Sequence, residues 1–353
     1  MPLTDYRTLG RSGLAVSPMA LGTMTFGTRR WGSADDAEAR AVFDAYVDAG
    51  GNFVDTADVY AGGRSEELVG RFVAERGLRD RMVLATKFGF GGADPGNPNA
   101  GGNGRKHVRR ALEGSLRRLG TDYVDLYWLH VWDTVTPAEE VVQTLSDLVR
   151  EGTVRYYGLS DMPAWYAAQM ATLARAHGVP GPVAMQLFYA LVERTVEQEH
   201  VPAARALGMG LVPWSPLAYG LLAGKYARGD EQAAGGRLSG ANPFGDTLFT
   251  DRNWTIVDRL REVAAETGVP MAQAALAWVL GRPGVTAPIL GARTPDQLRE
   301  NVAALEVALT PEQTRVLDAA SAPAPAFPYG IFTPATVRHA VFGGATVRGW
   351  DAG

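Results

Sequence analysis

Short apolar, β-branched runs alternate with longer stretches whose apolar residues recur every three or four positions, almost from one end of the chain to the other. Eight of the short runs read as strands: residues 19–22 (MALG), 53–56 (FVDT), 82–87 (MVLATK), 124–130 (VDLYWLH), 154–160 (VRYYGLS), 183–187 (VAMQL), 211–215 (LVPWS) and 287–291 (APILG). The stretches between them, such as DDAEARAVFDAYVDAG, GRSEELVGRFVAERG and RKHVRRALEGSLRRLG, have the period of amphipathic helices and end on glycine. Strands alternating with helices predict repeated βα units and a parallel sheet, and eight of each predict a closed barrel.

The fold expected is therefore α/β, a (β/α)8 TIM barrel, with three departures from the repeat. Residues 6–17 (YRTLGRSGLAVS) alternate around a glycine turn and predict an N-terminal β-hairpin that plugs the barrel bottom. A Gly/Pro/Asn loop covers 89–104. A longer polar loop, 227–247, precedes two extra helices, 252–268 and 270–282. Both loops follow strand C-termini, where barrels of this kind build their active sites. The Pro- and aromatic-rich tail from 321 is expected to pack over the barrel rather than form a separate domain.

Composition narrows the possible functions. A chain of 353 residues suits one large barrel domain, 1–353, and a formal net charge of −4 offers no basic field for nucleic acid. A small-molecule partner is expected, and oligomeric state is left open. The chain has no cysteine, which removes disulfides, thiolate nucleophiles and Cys-ligated zinc; its five histidines lack metal-ligand spacing, so no metal is expected. Neither a leader pattern at the start nor an apolar run long enough to span a bilayer is visible, so a cytoplasmic protein away from membranes is expected. Lysine occurs only at 87, 106 and 225, and Lys87 stands at a strand end where no solvating charge is needed.

Asp55, Lys87 and His130 end three consecutive predicted strands, and strands about 4.8 Å apart bring the first two within pairing distance. Singly, each has a plain structural reading: a helix cap, a snorkelling rim charge, a satisfied core histidine. Together at one rim, with Tyr60 in the intervening loop, they point to a site. A nearby ammonium favours phenolate and eases proton release from Tyr60, while Asp55 holds that ammonium in place. Carbonyl reduction needs this set: an acid for the oxygen as hydride arrives, and a donor such as His130 to orient it.

Hydride requires a cofactor, yet no Gly-x-Gly-x-x-Gly run follows a strand and opens a helix. After the eighth strand, GARTPDQLREN sets Arg293 before Thr294 as N-cap and Pro295 at the first helical position, which is either an anion site of a kind that suits a 2′-phosphate or a routine capped helix with a solvated arginine. Trp214 ends the seventh strand, where it could stack on a nicotinamide or simply fill the core, and the following turn offers backbone amides to a pyrophosphate.

Over nearly its whole length the chain resembles the aldo-keto reductases. The matching motifs run from MALGTMTFG through VDTADVYAGGRSEELVG, LATKFG, DLYWLH, GLSD, MQLFYALVER and VPWSPLAYGLLAGKY to PILGARTPDQLRENV. The resemblance implies a catalytic tetrad of Tyr60, Lys87, Asp55 and His130, NADPH as cofactor, and a small carbonyl substrate. It assigns cofactor contacts to Thr23, Met24, Ser160, Gln186, Trp214, Ser215, Pro216, Leu217, Ala218 and Tyr219, to Lys225 and Arg237, and to Gly291, Arg293, Gln297, Glu300 and Asn301. Ser160 and Gln186 match the pair that holds the nicotinamide carboxamide. Most relatives carry asparagine after that serine, whereas this chain has Asp161, which when ionised accepts hydrogen bonds but cannot donate them.

Phe26, Trp31 and Trp132, with loop 89–104 and the tail near Phe327 and Tyr329, are the candidates for shaping the substrate site, or else packing residues. The expected activity is NADPH-dependent reduction of an aldehyde or ketone. The alternative is a cofactor-binding regulatory protein resembling the potassium-channel β subunits. A third reading, a barrel hydrolase using Asp and His, lacks a second histidine or a metal cluster near the strand ends.

Overall fold

The computed structural model describes residues 2–27, 35–91, 94, 96–229, 238 and 245–348. Two short strands, β1 (Arg7–Thr8) and β2 (Ala15–Val16), pair antiparallel as the expected hairpin. The barrel strands are β3 (Ala20–Gly22), β4 (Phe53–Asp55), β5 (Val83–Phe88), β6 (Val124–Leu129), β7 (Val154–Ser160), β8 (Ala184–Phe188), β9 (Gly210–Trp214) and β10 (Ile289–Leu290). They are hydrogen-bonded in the order β10-β3-β4-β5-β6-β7-β8-β9, all parallel. Between β9 and β10 the ring is nearly closed by a bridge rather than a full ladder: Leu211 donates to Gly284 O at 2.9 Å and accepts from Thr286 N at 2.8 Å.

Around the ring lie α1 (Asp36–Asp48), α2 (Arg64–Glu75), α3 (Arg105–Leu119), α4 (Ala138–Glu151), α5 (Ala164–Ala176) and α6 (His200–Leu207). They are followed by α7 (Gly245–Leu248), α8 (Asp251–Thr267), α9 (Met271–Leu280), α10 (Pro295–Val302) and α11 (Pro311–Ser321). Local chemistry sets their ends. Asp35 caps α1 by accepting from the Ala37 and Glu38 amides, and Thr250 and Thr294 cap α8 and α10. Helices α3, α4, α6 and α8 stop at Gly120, Gly152, Gly208 and Gly268, each left-handed, a conformation without steric cost only for glycine.

Because side chains alternate along a strand, the sheet has two faces with different partners. Leu21, Val54, Leu84, Tyr127, Leu129, Tyr157, Leu159 and Met185 face outward and pack with the helices. Each such side chain, fully buried, contributes about 1.5–3 kcal/mol. Phe53, Ala85, Leu126, Trp128, Ala184, Val212 and Ile289 point inward and meet Leu9 and Val16 of the hairpin. Gly158 leaves the interior room for Trp128: a Cβ there would lie 2.2 Å from the indole Cζ3. The hairpin turn seats Gly10 against the lower ends of β8 and β9, where a Cβ would lie 2.3 Å from Val183 O. The bottom is thereby filled, and the open end is the strand C-terminal end.

The tail departs from expectation. Beyond α11 it is tied to the chain after β8 by polar contacts, Gln198 bonding Ala324 O at 3.0 Å and the Ala326 amide at 3.1 Å, and Tyr329 Oη donating to Glu199 at 2.6 Å. Among its described aromatics Phe327 and Phe332 are 87% and 59% exposed. Among the described residues no single helix is long and apolar enough to cross a membrane.

Candidate active site

Inward alternation carries straight from the apolar interior into the polar rim. Asp55 shares the face of Phe53, and Lys87 that of Ala85, so the next inward positions after core residues are a carboxylate and an ammonium. Lys87 is wholly buried. Its Nζ donates to Asp55 Oδ2, to Thr56 O at 2.7 Å and to Tyr60 Oη at 3.2 Å. Gln186 Nε2 donates to the other oxygen, Asp55 Oδ1, at 2.9 Å. Thr23 completes the cage from β3's end, bonding Asp55 O through its own amide at 3.0 Å and hydroxyl at 3.1 Å.

Tyr60 is delivered by a tight turn after β4. Ala61, Gly62 and Gly63 are consecutively left-handed (φ 51°, 65° and 96°), reversing the chain into α2 while holding the phenol over the barrel mouth. His130 follows β6, its amide donating to Phe88 O at 2.9 Å. Its ring meets those of Tyr60 and Phe90 edge-on, with centroids 5.9 and 4.7 Å away. The His130 Nδ1 is buried without a partner, which leaves Nε2 as the nitrogen available to a ligand.

Charge states follow from these contacts. Burial pulls the Lys87 ammonium down, but Asp55 and Tyr60 more than offset it, and it sits above its ordinary value. Burial raises the Tyr60 phenol, with Lys87 opposing and Asp55 adding to the rise. The sequence argument weighed only the nearby ammonium; desolvation outweighs it, and the phenol is protonated at neutral pH. Burial and the Lys87 charge hold His130 well below the usual imidazole range, so it is neutral. The arrangement offers a neutral acid beside a fixed cation and a neutral imidazole donor.

These groups open onto a cavity of about 1070 Å³ running from Tyr60 to α10. Its wall includes Thr23, Met24, Asp55, Tyr60, His130, Ser160, Asp161 and Gln186 at one end. Trp214, Ser215, Pro216, Leu217, Tyr219, Lys225, Gly291, Arg293, Gln297, Glu300 and Asn301 continue it. Trp214 stacks on Phe188 (centroids 4.7 Å apart) and its Nε1 donates to Asp161 Oδ1 at 2.9 Å. At the far end, crowding by protein and the Arg293 charge hold Lys225 below its usual value, with Glu300 opposing. Two cations brought together beside a helix N-terminus fit an anionic phosphate.

Other expected residues lie elsewhere. Phe26 is wholly buried and is not on the wall; as an aromatic just past a strand end it reads like a rim residue, but its ring belongs to the helix-side core. Ala218 is buried behind the wall, its amide turned to Ser215 O. Trp132 packs its ring against Trp165 and Tyr166 beyond the cavity. Neither Phe327 nor Tyr329 borders it. Trp31 and Arg237 fall outside the described residues.

Sequence reasoning did not single out Ala61, Gly220, Ala223, Pro270 and Ala272, all on the wall, and reached Phe90, also on it, only as part of loop 89–104. Phe90 carried a signal, an aromatic just past a strand end. Pro270 and Ala272 begin α9 and read as an ordinary helix start; only the folding of α8 and α9 back onto the barrel brings them here. Five of the six non-glycine residues with positive φ among those described are Ala61, Asp161, Ser215, Ala218 and Tyr219, in the loops that build this cavity. Strain concentrated there is characteristic of functional sites.

An (β/α)8 barrel with a buried Lys–Asp pair under a pocket tyrosine defines the class, and comparison agrees: residues 18–322 match the aldo/keto reductase family, to which the chain belongs. An uncharacterized oxidoreductase of Bacillus subtilis is 39% identical over 325 residues, 89% of this chain and 95% of that protein. A probable voltage-gated potassium channel subunit beta of Oryza sativa is 39% identical over 321 residues, 89% and 96%. A norsolorinic acid reductase of Emericella nidulans is 38% identical over 310 residues, 86% and 77%. The family and the reductases among these relatives support an oxidoreductase.

Proposed function

We propose that the protein is an NADPH-dependent reductase of aldehydes or ketones, one barrel domain acting on a small carbonyl compound. The observation that carries this reading is the buried Lys87, bonded at once to Asp55, Thr56 O and the Tyr60 phenol on the cavity wall. Tyr60 donates the proton to the carbonyl oxygen; the phenolate left behind lies against the Lys87 ammonium, so charge separates without an unpaired anion. His130, kept neutral, donates a hydrogen bond from Nε2 to the same oxygen and orients it. Asp55, shared between Lys87 and Gln186, fixes the ammonium.

The nicotinamide cofactor, when bound, supplies the hydride. Ser160, Gln186 and Trp214 would hold its ring end, Ser215, Pro216, Leu217 and Tyr219 its pyrophosphate, and Lys225, Arg293, Gln297, Glu300 and Asn301 its adenosine phosphate end. That Lys225 and Arg293 both line this end of the cavity, close enough for the Arg293 charge to be felt at Lys225, supports a 2′-phosphate there, hence NADPH.

A second reading draws on the rice relative: a regulatory subunit that binds cofactor and acts through a partner. Incubation with NADPH and a broad aldehyde panel, followed by nicotinamide absorbance, separates the two. Turnover is expected; tight NADPH binding with no turnover on any substrate would support the regulatory role.

A further inference from the structure

We propose that Asp161 sets the balance between the oxidation states of the bound cofactor, its carboxylate holding the cationic oxidised nicotinamide in preference to the neutral reduced one. This inference rests on the cavity being a nicotinamide site. Asp161 is the first residue after β7, exposed to the cavity it lines. Its backbone is pinned on both sides, the amide donating to Gln186 O at 3.2 Å and the carbonyl accepting from Trp132 N at 3.4 Å. A left-handed φ of 45° completes its placement. Oδ1 accepts from Trp214 Nε1 at 2.9 Å, and that indole is itself fixed by its stack on Phe188.

The carboxylate is thus a held charge, and its field reaches the reacting groups: it contributes to the rise of the Tyr60 phenol, and Lys87 opposes the rise of Asp161 itself. A ring that delivers hydride to a carbonyl bonded to Tyr60 must sit inside that field. The oxidised ring carries a full positive charge and the reduced ring none, so the carboxylate discriminates between them. The phosphates are common to both forms and cancel in the ratio of affinities.

Crowding by protein pushes the Asp161 carboxyl up to about 6, opposed by the Trp214 bond and Lys87, so the preference weakens as the carboxyl protonates. Lys87 from β5, with Asp55 of β4 bonded to it, Tyr60 from the turn after β4 and the neighbouring Ser160 hydroxyl interact with it, and His130 after β6 shares the cavity wall. Lys87 and Tyr60 titrate well above neutrality, and His130 is held neutral. Asp58, pushed up to about 7 chiefly by burial, feels Lys87 too. It titrates equally in wild type and in an Asp161 variant, and the comparison between them removes it.

Asp161→Asn keeps an oxygen for Trp214 while removing the charge. Dissociation constants for NADP+ and NADPH, measured by fluorescence titration on the full chain, should show NADP+ weakened about tenfold at pH 8 and NADPH within about twofold. The wild-type preference should fall from pH 8 to pH 5, and that of Asp161→Asn should stay flat. Equal changes in both affinities, or a flat wild-type ratio, overturn the proposal. The wild-type pH series reads the same effect should the variant not fold. If wild type binds neither form, the site reading fails and takes this inference with it; if it binds both without discrimination, only the inference fails.

Discussion

Lys87 is the residue on which the most depends, because a wholly buried ammonium survives only with its partners in place. Lys87→Met leaves Asp55 charged in the interior with only Gln186, and should destabilise the protein by about 3–5 kcal/mol. Asp55→Asn combined with Lys87→Met removes both charges and should recover most of that loss. Urea unfolding of the single and double variants checks this, and additive losses would contradict the pairing. Much of this site was legible at the residue level: Asp55, Lys87 and His130 were found by alternation and strand ends alone. The balance at Tyr60 was not, since burial that outweighs a neighbouring cation is a property of the packed environment. Phe26 was misread for the same reason, as spacing cannot say which side of the sheet a loop aromatic enters.

Among the elements, the turn after β4 bears the strain. At Gly63 a Cβ would combine φ 96° with an approach of 2.6 Å to Arg118 Cδ, and Arg118 Nε binds the buried Glu66 at 2.6 Å. Gly63→Ala should therefore cost about 1–3 kcal/mol, read from the thermal midpoint. Asp58 in the same turn has its carboxyl raised from 3.8 to about 7, mainly by burial and then by Glu66. Between those values the folded state holds a proton the unfolded chain has lost, so this group destabilises the fold as pH rises from 4 to 7. Asp58→Asn should lose less stability than wild type across that window; parallel curves would refute the assignment. The strands and helices themselves were legible to within a few residues, because period and caps are local. The left-handed backbone at Ala61, Asp161 and Tyr219 was not, since only glycine advertises it.

At the scale of the molecule, a hairpin fills one end of the barrel and leaves the other to a cavity that runs from Asp55, Tyr60 and His130 to α10. Eight alternating units made the barrel legible, but not the return of α8 and α9 that completes the cavity wall, nor the outward-facing tail. That span predicts a division of labour: Arg293→Ala should weaken NADPH at least about tenfold more than NADH, and equal losses would remove the phosphate assignment. The central claim is that this cavity reduces carbonyls with Tyr60 as the acid. Its most direct test measures NADPH-dependent aldehyde reduction and NADPH affinity together in wild type and Tyr60→Phe. Turnover should fall about 10²–10⁴-fold with affinity nearly unchanged; a variant that reduces aldehydes at the wild-type rate would contradict the account.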